Sequence, residues 1–156
     1  MKKILFLFVV LIVALAAVKI SQDYSFVEKL TFWSSKKTAI LHDQTFSLTV
    51  AATDKEKQIG LSKKESLEKN EGMLFLFDSP GYHSFWMKDM KFSIDIIFLR
   101  ERKIVTIVSR VSPPPDANQE LTIYKPDEPS DMVIEVAAGR AEKLGLQKGD
   151  EVKISL

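Results

Sequence analysis

The sequence predicts a β-rich α+β fold: a mainly antiparallel, partly closed β-barrel with two or three short helices. Three observations lead there. Apolar runs and period-two alternations of strand length recur across residues 45–155, about eight of them. Turn-forming clusters separate them, namely Asp78-Ser79-Pro80-Gly81, Arg100-Glu101-Arg102-Lys103, Pro113-Pro114-Pro115-Asp116 and Lys148-Gly149-Asp150. Few helical stretches between them are long enough for the crossover that joins parallel strands, which takes about a dozen residues or more. Neighbouring strands should therefore pair mainly as antiparallel hairpins.

Each element has its own signal. Phe46, Leu48 and Val50 alternate with Thr45, Ser47 and Thr49, the pattern of a half-buried strand. Thr53-Asp54-Lys55-Glu56 is a capping box, in which the Thr hydroxyl accepts from the Glu56 amide while Glu56 reaches back. The helix it starts should stop at Gly60. Ser62-Lys63-Lys64-Glu65 repeats the spacing and predicts a second short helix to about residue 69. The apolar run 72–77 reads as a strand, 78–81 as a turn and 82–87 as the next strand. Residues 94–99 and 104–111 read as a hairpin joined at 100–103. The prolines at 113–115 cannot join a ladder and mark a surface loop. A short strand at 121–124, a loop at 125–131 and a strand at 132–138 follow. A helix over 139–144 is closed by Gly145, and a last strand covers 152–155.

The N-terminus carries an address. Lys2 and Lys3 precede an unbroken apolar run, 4–18, which Lys19 ends. Ala14-Leu15-Ala16 is a small-x-small triplet of the kind a signal peptidase cuts after. Residues 1–20 therefore read as a cleaved signal peptide or as a single anchor in the inner membrane. A spanning helix wants about 20 apolar residues. The run 4–20 is short for that, but Lys19 can snorkel. Either way the lysines at 2 and 3 stay inside, which puts the rest in the periplasm or on the outer face of the cytoplasmic membrane. Residues 21–37 read as a linker and 38–156 as one globular domain.

Composition narrows the function. With 46% hydrophobic and 28% charged residues the chain is too apolar to be disordered. Its 22 basic residues balance 21 acidic ones, so it lacks the positive excess of a nucleic-acid binder, and no such partner is expected. The absence of cysteine removes disulfides, thiolate catalysis and Cys-ligated metal sites. His42 and His83 stand far apart, with no metal-ligand spacing around them, so neither metal nor cofactor is expected.

Two acids stand out because they interrupt apolar strands, where Asp and Glu are disfavoured and must be satisfied or protonated. Asp95 sits in Ile94-Asp95-Ile96-Ile97, and Glu135 in Val133-Ile134-Glu135-Val136. Lys88 is the nearest sequence candidate to pair with Asp95, either as a structural ion pair or as a polar site beneath Trp86. If Asp95 met Glu135, the carboxyls would raise each other's pKa, as in acid/base dyads. Otherwise Glu135 belongs on the solvent face of an edge strand. Trp86 with Phe85 and Tyr82 can stack on a ring or form core.

Gly60-Leu61-Ser62, Leu67, the block 72–77, Phe85-Trp86-Met87-Lys88-Asp89, Asp95-Ile96-Ile97-Phe98 and Glu135-Val136-Ala137-Ala138-Gly139 resemble the signature of the domain of unknown function 192 family. Residues 145–150 resemble its C-terminus, so the likeness spans about 45–155. The resemblance implies a compact β-rich bacterial or archaeal domain, often exported or anchored, and no activity that carries over. Lys64, Met90, Ser93 and Ala137 depart from the family's usual Arg, Thr, Pro and Asn. The expectation is a non-catalytic module binding a small ligand or envelope component through Trp86, Lys88, Asp95 and Glu135. The alternatives are a hydrolase using Asp95 and Glu135 as acid and base, and a structural envelope-interaction module.

Overall fold

The computed structural model describes residues 36–116 and 119–155. The N-terminal segment read as signal peptide or anchor, and most of the linker behind it, lie outside these residues. Among the described residues no helix is long and apolar enough to cross a membrane.

Seven strands form one sheet: β1 (Lys36–Leu41), β2 (Gln44–Ala51), β3 (Glu71–Gly81), β4 (Ile94–Arg100), β5 (Lys103–Val111), β6 (Ser130–Ala137) and β7 (Lys153–Ser155). Their order is β5-β4-β6-β3-β2-β1-β7. Among the described residues two short helices accompany them, α1 (Asp54–Ile59) and α2 (Arg140–Lys143). All pairs are antiparallel except β2 with β3, which residues 52–70 connect in a single crossover. The sheet curls into a half-barrel because its edge strands approach at one end. There Ile104 N donates to Asp150 O (2.9 Å) and Val152 N to Arg102 O (2.8 Å).

Several local expectations are corrected. β1 begins at Lys36, inside the stretch read as linker. The second capping box forms no helix. Instead the Ser62 hydroxyl donates to Ile59 O at 2.7 Å, and its energy goes into closing the end of α1. β3 runs on through the expected turn to Gly81, with Pro80 tolerated where the β3–β6 register lapses between Leu76 and Gly81. Residues 82–87 and 121–124 are not strands. They meet only at the Phe85–Tyr124 bridge, where each N–H donates to the other's carbonyl at 2.9 Å. The first capping box forms as expected: Thr53 accepts from Glu56 N, and Glu56 Oε2 accepts from Thr53 N at 2.9 Å. Such a cap stabilises a helix by about 1 kcal/mol.

The two faces of the central strands bury different things. One face, the barrel interior, holds Phe46, Leu48, Leu74, Ile97, Leu99, Ile134, Val136 and Ile154. On the other face the register aligns Met73 with Glu135 and Ile96, and Phe75 with Val133 and Phe98. Phe85 lies over this outer layer as an aromatic hub. Its ring meets Phe75 at 5.0 Å and Phe98 at 5.6 Å, both edge-on, the preferred geometry of aromatic pairs. Gly72 permits the close fit of β3 on β6, because a Cβ there would run into the Glu135 carbonyl oxygen and stand 2.8 Å from Leu48 Cδ2.

Candidate functional site

A cleft of about 370 Å³ opens on the outer face, between α1 and residues 84–90. Phe75, Phe77 and Phe85 form one wall, and Ile59 to Leu61 at the end of α1 form another. The capping box and Gly60 set the second wall by fixing where α1 starts and stops. Trp86, Lys88 and Met90 come from the non-strand segment. Its residues alternate in burial, with Phe85 and Met87 inward and Trp86 and Lys88 outward.

Glu135 lies in the cleft lining from the centre of the sheet. It is not on an edge strand: β6 is flanked by β3 and β4, and the residue is only 6% exposed. Among the described residues no group donates a hydrogen bond to its carboxyl. Burial alone pushes its pKa from 4.5 up to about 8. At neutral pH it is therefore a carboxylic acid, able both to donate and to accept. Lys57 stands over the Phe77 ring at 4.8 Å and lies 4.0 Å from Asp54. Lys88 is exposed and has no ion-pair partner among the described residues.

Asp95 belongs elsewhere. Its cross-strand partner is Val136, so its side chain shares the inner face, opposite to that of Glu135. Asp95 and Glu135 cannot act as an acid/base pair, and the hydrolytic reading loses its geometry. Lys88 does not pair with Asp95 either. The Asp95 carboxyl instead accepts three backbone N–H groups: Arg110 at 2.7 Å, Gly139 at 3.0 Å and Ala141 at 2.8 Å. Gly139, the N-cap of α2, has no side chain to cap with, and Asp95 supplies the missing acceptor from β4. It also holds the β4–β5 bulge, where Arg110 takes a φ of 55°.

Three of the four candidates, Trp86, Lys88 and Glu135, thus meet in one cleft, and Asp95 is structural. Sequence reading missed Lys57, Phe75 and Phe77 as cleft residues. The one signal for the phenylalanines was that the run 72–77 is apolar at every position. Such a strand is covered on both faces, so its outer side had to be roofed by something. Nothing in the local sequence of α1 marked Lys57.

A family model, DUF192, described as "Uncharacterized ACR", matches residues 36–154. Comparison with curated proteins finds no match. Two crystal structures are similar in fold. A protein of unknown function from Novosphingobium aromaticivorans DSM 12444 has a TM-score of 0.65 and 28% identity, over 76% of this chain and 83% of its own. A Sinorhizobium meliloti 1021 protein described as a "putative transcription regulator" has a TM-score of 0.69 and 25% identity, over 77% of this chain and 94% of its own.

Proposed function

Because the chain belongs to the DUF192 family, whose own description assigns no activity, we propose a function from the cleft itself. The domain is a non-catalytic binding module that takes a small ligand with an apolar ring and a polar edge. The observation that carries this is the Glu135 side chain, 6% exposed and lining a cleft walled by Phe75, Phe77 and Phe85, with no hydrogen-bond donor to its carboxyl among the described residues. Buried polar groups are nearly always satisfied within the protein or by water, and one turned toward an aromatic cleft fits the polar edge of a bound ring. The regulator description is that of the Sinorhizobium protein alone, and in this chain 22 basic residues nearly balance 21 acidic ones, which does not favour phosphate binding.

The matched probes are p-cresol and toluene, which differ only in a hydroxyl. p-Cresol should bind in the millimolar range expected of so small a ligand, and more tightly than toluene. Glu135→Leu should erase the difference. Ligand-observed NMR titration reads both, and equal binding of the two probes to wild type, or no binding of either, defeats the reading.

The address is also proposed: export or tethering to the outer face of the cytoplasmic membrane, supported by Lys2, Lys3 and the apolar run 4–18. A C-terminally tagged full chain expressed in a bacterium should fractionate with periplasm or membrane. Recovery in the cytosol would refute it.

A further inference from the structure

A second depression of about 420 Å³ continues the cleft beyond its own wall. Leu121 and Ile123 line it, with Ser62 and Asp89 beside them. It shares Gln58, Trp86 and Lys88 with the first cleft. Trp86 and Lys88 therefore form a ridge that faces both. Trp86 is 40% exposed and Ile123 50%, two of only four large apolar side chains so exposed among the described residues. Scattered apolar exposure is ordinary, but here two of the four border one depression. The ridge also carries a single cation. Lys57 already has Asp54 within 4.0 Å, whereas Lys88 has no ion-pair partner among the described residues.

We infer that the site takes an elongated ligand in three parts: a ring in the deep cleft, one carboxylate at the ridge against Lys88, and an apolar group lying on Trp86, Leu121 and Ile123. This rests on the ring-binding reading above. A single negative charge suits the one lysine that lines both depressions, and Asp89 beside it disfavours a doubly charged phosphate. A ring and a carboxylate joined through one carbon that also carries, through an amide, an apolar chain are the chemistry of an aromatic α-amino acid acylated on nitrogen. The C-terminal residue pair of a peptide offers the same chemistry.

The test is calorimetric titration of the full chain. Its probes are p-cresol, N-acetyl-tyrosine, N-acetyl-tyrosine amide, N-hexanoyl-tyrosine and N-acetyl-leucyl-tyrosine. The acid should bind about three-fold more tightly than its amide, the gain expected of an exposed ion pair that salt weakens. Lengthening acetyl to hexanoyl should add a further ten-fold or so as apolar surface is covered. Lys88→Met should remove the first gain and Ile123→Ser the second, with thermal unfolding confirming that both variants fold. The tighter of the hexanoyl and leucyl ligands then assigns the acyl amino acid or the peptide end. If p-cresol binds but the acid and amide bind alike and the longer chain adds nothing, this inference falls and ring binding stands. If p-cresol and all the tyrosine derivatives fail to bind, both fall.

Discussion

Asp95→Asn should destabilise the domain by about 3 kcal/mol, whereas Lys88→Met should change stability by no more than about 0.5 kcal/mol. The two Asp95 oxygens accept from three backbone N–H groups, and the residue is fully buried. An Asn offers one carbonyl oxygen and one NH2 group. Whichever way it turns, at least one buried N–H faces another donor, and a buried polar group stranded in this way costs about 1–3 kcal/mol. The three donors are also structurally dependent on the acceptor. Arg110 holds a left-handed φ of 55°, uncommon for a residue with a side chain, and Ala141 N is an orphan donor in the first turn of α2. Losing the acceptor therefore loosens the bulge and the helix start together. Lys88 touches none of this. Urea denaturation of both variants separates the cases. Equal losses would restore the Lys88–Asp95 ion pair, and a silent Asp95→Asn would show that the three hydrogen bonds contribute little.

Asp95 also shows where sequence reading stops. An acid in the run 94–99 had to be satisfied, and that much was legible from the letters alone. Its partners were not, because they are main-chain N–H groups at positions 110, 139 and 141, and every non-proline residue carries one. Periodicity had the same kind of reach and limit at 82–88. Phe85 and Met87 turn in while Trp86 and Lys88 turn out, as alternation requires. Alternation reports sides, not hydrogen bonds, and the segment pairs with another only at Tyr124. β1 escaped notice because Lys36 and Lys37, which open it, fell in the stretch read as linker, and because Ala39 is small, so its inward pair Ala39 and Leu41 gave no strand signal. Glu135 and Lys88 could each be singled out from sequence. That they share a cleft while Asp95 lies on the other face follows from the β4–β6 register, a property of the pairing.

The second large effect belongs to Glu135, and it has an unusual sign for a carboxyl. The stability of the wild-type domain should fall as pH rises from about 4.5 to about 8, and Glu135→Gln should remove that fall. In the unfolded chain the residue releases its proton near 4.5, while in the fold burial holds the proton to about 8. Between these values the folded state binds more protons than the unfolded one, so stability decreases with pH. The contribution is complete below 4.5, declines through the window and is level above 8. At about 1.36 kcal/mol for each pKa unit, the full change is on the order of 4–5 kcal/mol. Carboxyls held below their ordinary pKa act the other way. Asp150, whose carboxyl accepts from Gln147 N at 2.8 Å, loses its contribution only as pH falls. Unfolding midpoints of wild type and Glu135→Gln, measured from pH 4 to 9, isolate Glu135 as the difference between two curves. Those curves should diverge across the window, with the variant the more stable of the two at pH 8 relative to pH 5. Parallel curves would mean that the carboxyl ionises in the fold much as it does in water, and the cleft would then present a charge to its ligand in place of a donor. The same proton links stability to binding. A ligand that accepts from Glu135 stabilises the protonated form, so its affinity should hold up to about pH 8 and drop about ten-fold for each unit above.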